Sequence, residues 1–109
     1  MLKITVDYAG TNITSFQVVG HAEYAPLGED ICCAGVSAIT QTALIGLLNH
    51  LEEEPSYSID KGNLSVSLAD NLSQTDNEKA QIILSTMLKG LESMAESYAD
   101  FIKVFIRRC

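Results

Sequence analysis

From Ile31 to Leu51 the chain carries no formal charge, counting His50 as neutral, and its apolar residues recur with helical spacing. Val36, Thr40, Ala43, Leu47 and Leu51 fall on one stripe, which Ile39, Leu44 and Leu48 widen. Ser37, Thr40, Gln41, Thr42 and Asn49 make the stretch too polar for a lone membrane span. It reads instead as a buried helix to which the rest of the fold must adapt. Its apolar surface is broader than one sheet needs to cover. Ala34, Gly35, Ser37 and Ala38 keep its first turns thin enough for close approach. A central helix, or a second copy of the chain, would use both properties. Asp30 stands where an N-cap is expected. Glu52-Glu53-Glu54-Pro55 ends the helix, and three acids opposing the dipole there predict fraying.

The flanking segments alternate with period two. Leu2, Ile4, Val6 and Tyr8 are interleaved with Lys3, Thr5 and Asp7. The turn residues Ala9-Gly10-Thr11-Asn12 lead into a second run, Ile13 to Val19. Tyr57 and Ile59 open another strand. Asp60-Lys61-Gly62-Asn63 turns it, and Leu64, Val66 and Leu68 continue. Thr75 and Glu78 have capping-box spacing ahead of a second helix with Ile83, Met87, Leu91, Met94 and Tyr98 on its stripe. Ile102, Val104 and Ile106 make a last strand. The order β-β-α-β-β-α-β predicts an α+β fold. A mixed or mainly antiparallel sheet packs against two long helices, in a single domain spanning 1–109, with strand order left open.

Composition narrows the function. Seven basic and fourteen acidic residues leave a net charge of −7, which argues against nucleic-acid or anionic-membrane binding and suits a basic partner. The N-terminal residues lack the pattern of a signal peptide. Three cysteines, two adjacent, are no disulfide framework, and thiols point to a reducing cytoplasm.

The informative segment runs from Gly20 to Gln41. A strand ends at Gly20-His21, a loop without periodicity follows, and Cys33 falls in the first turn after Asp30. Unpaired N–H groups and the positive end of the macrodipole would lower a thiol pKa there. His21, at the other end of the loop, would lower it further, and a Cys–His pair suffices for nucleophilic acyl transfer. Position alone also admits an inert packed cysteine. Cys32 points about 100° away around the helix and suits the core. Cys109 has no evident role, and His50 at the helix C-terminus needs none beyond the dipole. His21, Asp30, Cys32 and Cys33 lack metal-ligand spacing, so no metal or other cofactor is expected.

Gly20-His21-Ala22, then Gly28-x-Asp30-Ile31-x-Cys33-Ala34-Gly35-Val36-Ser37-Ala38 and Gln41-Thr42, resemble the bacterial ribosomal-processing cysteine protease family called Prp. Thr75-Asp76-Asn77-Glu78-x-Ala80-Gln81 and Leu84-x-Thr86-Met87 extend the likeness along the chain. The resemblance implies a cytoplasmic, homodimeric endopeptidase. Its substrate would be a basic ribosomal precursor, the twenty-seventh large-subunit protein, whose N-terminal extension it removes. His21 and Cys33 match the family's dyad. Cys32 departs from the usual Val, a swap of similar size.

On this reading Cys33 attacks the scissile carbonyl and His21 shuttles the proton. The backbone N–H of Cys33 or Ala34 meets the oxyanion. Asp30 caps the helix or orients His21. Ser37, four residues on and on the same face, bonds substrate or its own helix. The loop Ala22–Glu29 acts as a lid through Tyr24, Leu27 and Gly28. The alternative is a non-catalytic ribosome-associated binding protein that keeps the motif as structure.

Overall fold

A computed structural model describes residues 1–20, 27–60 and 62–108, the side chains of 27–30 excepted. Strands β1 (Leu2–Ala9) and β2 (Asn12–Val19) form the first hairpin, which turns at Gly10 with φ 62°. Leu2, Ile4 and Val6 are buried while Lys3 is exposed, as the alternation predicts. In β2 the buried residues are Ile13 and Phe16, three apart. Asp7 pairs with Ser15 but Tyr8 with Ile13, so Thr14 is an extra residue. This bulge turns both apolar side chains to one face.

β3 (Ser56–Asp60) and β4 (Asn63–Ser67) form the second hairpin, and β5 (Ile102–Arg108) is the last strand. The sheet runs β3-β4-β2-β1-β5, antiparallel throughout except for the parallel pair β1 and β5. It is the mixed sheet expected.

Helices α1 (Leu27–His50) and α2 (Gln74–Ser97) close the single core. They run antiparallel. Gly35 faces Met94, Ile39 faces Gly90, and Gly46 faces Ile83, so a missing side chain at each contact lets the axes approach. Val36, Thr40, Ala43, Leu47 and Leu51, the predicted α1 stripe, are all buried. Ile31–His50 has the length and apolarity of a membrane span, with mean hydropathy 1.8; here its stripe packs in the core. Truncating a fully buried leucine such as Leu47 to Ala costs about 2–5 kcal/mol in sites of this kind.

Three local expectations are corrected. The cap of α2 is Ser73, two residues before Thr75. Its hydroxyl accepts from the Asp76 N–H at 3.0 Å. The buried stripe of α2 accordingly centres on Ala80, Leu84, Met87, Leu88 and Leu91, while Tyr98 is the exposed C-cap. The end of α1 is also tied down rather than frayed. The helix stops at His50, so Glu52, Glu53 and Glu54 lie beyond it. The buried carboxylate of Asp76 accepts from the N–H of Glu52 at 3.2 Å and of Glu53 at 3.0 Å.

Finally, α1 begins at Leu27, not after Asp30. Glu29 and Asp30 therefore fall within its first turn, whereas a cap residue precedes the helix. Leu27, Gly28 and Glu29 are helical, so the last three of the eight predicted lid residues are the start of α1.

Candidate active site

Gly20 closes β2 with φ 116°, and a Cβ there would strike the Met1 carbonyl. No other residue fits without strain. Its N–H donates to the Gly62 carbonyl at 2.9 Å, which fixes the end of β2 against the turn of the second hairpin. The chain thus leaves the sheet at a defined point, one residue before His21. His21 and Tyr24 themselves lie outside the described residues, as do Lys61 and Cys109.

Beside Gly20 is a cleft of about 160 Å³. Cys33 lines it, half-buried, and one and two helical turns further along α1 so do Ser37 and Gln41. Val18 and Leu2 contribute from the central strands. Ile59, Asp60, Asn63 and Leu64 come from the second hairpin. Cys32, by contrast, is 0% exposed in the core. The two adjacent cysteines face different surroundings, and neither is in a disulfide. The Val-to-Cys departure therefore lies on the core side of the helix.

The position of Cys33 differs from the expected one in a way that matters for its chemistry. It is the seventh residue of α1, in the second turn. Unpaired N–H groups belong to the first four residues of a helix, Leu27 to Asp30 here. The N–H groups of Cys33 and Ala34 belong to the helical ladder, so the expected backbone oxyanion donors are not available. The donors that do reach the cleft are side chains. Ser37 is exposed, and its Oγ makes no hydrogen bond to another described residue. It does not back-bond its helix. Gln41 offers an amide. Thr40, between them, is buried and donates to the Val36 carbonyl at 2.8 Å.

The sequence did not point to Gln41, Ile59, Asp60 or Asn63 as site residues. Gln41 had a signal, its helical spacing from Cys33. The other three reach the site through sheet pairing: Val19 stands opposite Asn63 across β2 and β4, a register that no local pattern discloses.

The second motif of the resemblance is scaffold. Besides Asp76, Gln81 clamps the bulged strand. Its Oε1 accepts from the Ile13 N–H at 2.7 Å and its Nε2 donates to the Ile13 carbonyl at 2.8 Å. Ala80 between them is 0% exposed. Among the described residues no three His, Cys, Asp or Glu side chains converge on a metal-sized site.

The family model for the cysteine protease Prp matches residues 1–103. The ribosomal processing cysteine protease Prp of Staphylococcus aureus is 33% identical over 105 residues, covering 94% of each chain. The crystal structure of the S. aureus ribosomal processing protease Prp with a substrate peptide superposes with a TM-score of 0.86 at 27% identity. The match covers 98% of this chain and all of that one. The same S. aureus protease with a covalently linked product peptide gives a TM-score of 0.83 at 28% identity, with the same coverage. The chain belongs to the Prp family and is a cysteine protease with its α+β fold.

Proposed function

We propose that Cys33 is the nucleophile of this protease and His21 its general base. One observation carries the reading: the Cys33 thiol lines a cleft bounded by Gly20, the residue immediately before His21. We assign Tyr24 to contact with the peptide substrate and Asp30 to orienting His21.

The chemistry runs in two halves. His21 takes the Cys33 proton, and sulfur attacks the scissile carbonyl. The oxyanion is met by the Ser37 hydroxyl and the Gln41 amide, which replace the backbone donors. As the tetrahedral species collapses, the carbon–nitrogen bond breaks and His21 protonates the leaving amine. Water then attacks the thioester, gives up a proton to His21, and releases the acid and the thiol.

The substrate we assign is the N-terminal extension of the twenty-seventh large-subunit ribosomal protein, cut in the cytoplasm where that precursor is made. The net charge of −7 favours encounter with a basic precursor. We also assign a homodimer. An apolar groove of about 670 Å³ lies between α1 and α2, and Ile82, which lines it, is 68% exposed; a second copy would cover both. Mass spectrometry of the extended precursor tests the activity. The wild-type chain should release the extension and Cys33→Ala should leave it attached; equal processing by both would remove Cys33 from the mechanism. Sedimentation tests the dimer, and a monomer at micromolar concentration would dismiss it.

A further inference from the structure

We infer that the outer edge of β3 is the docking strand for the peptide substrate, which adds to the sheet as an extended strand leading into the Cys33 cleft. The inference rests on the protease reading above and adds to it where the substrate lies.

The two edges of the sheet are built differently. β5 is guarded by charge. It carries Lys103, Arg107 and Arg108. Arg107 pairs with Asp7, and Arg108 lies over the Tyr8 ring at 4.3 Å. Charged edges of this kind discourage strand addition. β3 reads Ser56-Tyr57-Ser58-Ile59-Asp60, with no Pro, no basic residue and no bulge against β4. Every second residue of such a strand turns its N–H and C=O away from its partner. No described strand pairs with that side of β3.

The side chains of β3 add the second observation. Tyr57 stands opposite Val66 and Ile59 opposite Leu64. Directly opposed residues share a face, and Val66 and Leu64 are buried in the core. Tyr57 and Ile59 thus sit on the core side of the sheet, yet they are 51% and 56% exposed. They form an apolar shelf on the side where Cys33 lies. Ile59 and Asp60, the last residues of the strand, line the Cys33 cleft, so the shelf is continuous with the nucleophile. An extended peptide pairing with β3 would place alternate side chains over Tyr57 and Ile59. It would span five residues of strand, about 17 Å, and run on to Cys33. Main-chain bonds would supply affinity and the shelf a preference for apolar side chains spaced two apart.

The test is steady-state cleavage of a peptide spanning the processing site of the ribosomal precursor. Tyr57→Ser with Ile59→Ser removes the shelf. It should raise KM about tenfold or more with kcat changed less than about twofold, the pattern of lost uniform binding. Phe105→Ser, a comparable exposed apolar residue on β5 (48%), should change neither. Peptides N-methylated at single positions, cleaved by the wild-type chain, give a readout that needs no variant. Methylation at alternate residues should weaken binding about tenfold and at intervening residues should not. An unchanged KM in the double variant, or methylation without alternation, overturns the docking strand while leaving the protease reading intact. A wild-type chain that fails to cut the precursor overturns that reading and this inference with it.

Discussion

Both helices run 24 residues, but their starts are built for opposite purposes. α2 opens on a closed knot. Ser73 caps it, Asp76 is buried against two N–H groups from the end of α1, and Gln81 holds β2. α1 opens on acids in its first turn, with the thiol of Cys33 on its second turn facing a cleft. Part-buried hydrogen bonds are concentrated at one helix start, and the thiol proposed as nucleophile lies near the other. A substitution should therefore register in one readout and barely in the other.

The largest expected effect is on chemistry. Cys33→Ala should lower processing by about a thousandfold or more, since residual cleavage without a nucleophile is slight. Its unfolding midpoint should stay within about 1 kcal/mol of wild type, because the site is half-buried. A variant that unfolded instead would erase the division between the two starts. Next comes Asp76→Ala, which strips two part-buried N–H groups of their acceptor and leaves a void where a buried side chain was. Stability should fall by about 2–4 kcal/mol, read as a thermal midpoint lower by on the order of 10 °C. kcat of the folded fraction should be retained; losing it ahead of stability would show that the α2 knot serves the site directly.

A smaller pair sharpens the comparison at the caps themselves. Ser73→Ala should cost about 1 kcal/mol in chemical denaturation. Asp30→Ala, in the first turn of α1, should cost no more than about 0.5 kcal/mol through the dipole. Equal costs would restore Asp30 as a cap. The smallest effect lies away from both helices. The Arg107 guanidinium, bonded to Asp7 at 2.6 Å, holds that carboxyl below its ordinary 3.8, with burial pulling the other way and Ser15 assisting. A depressed carboxyl stabilises the fold above pH 3.8 and loses that contribution as pH falls through the folded value. Arg107 is largely exposed, so Arg107→Ala should remove about 0.5 kcal/mol at neutral pH, and the difference from wild type should vanish in strong acid.

Periodic elements were legible in the residues. The α1 stripe, the alternation of β1, both hairpins and the helix order follow from spacing, because burial on one face imposes a period. The limits of the helices were less so. Asp30 as a cap and Asp30 as a first-turn acid satisfy the same local chemistry. Ser73 and Thr75 compete as caps within two residues. At the site, Cys33 and Ser37 were visible through helical spacing within one element. Asp60 and Asn63 were not, since sheet register brings them there and register depends on partners far along the chain. The bulge at Thr14, which puts Ile13 and Phe16 on one side, is a further departure that strict alternation conceals.

The parallel pairing of β1 with β5 sets the timing of the enzyme's own birth. Leu2 lines the catalytic cleft, and its N–H donates to the Phe101 carbonyl at 2.9 Å. During vectorial synthesis both hairpins and α1 emerge before that carbonyl exists. Closure of a contact so distant is slow and comes last. A nascent copy still short of Phe101 would carry Cys33 on a half-built floor. The floor of the cleft is therefore complete only once β5 has paired with β1.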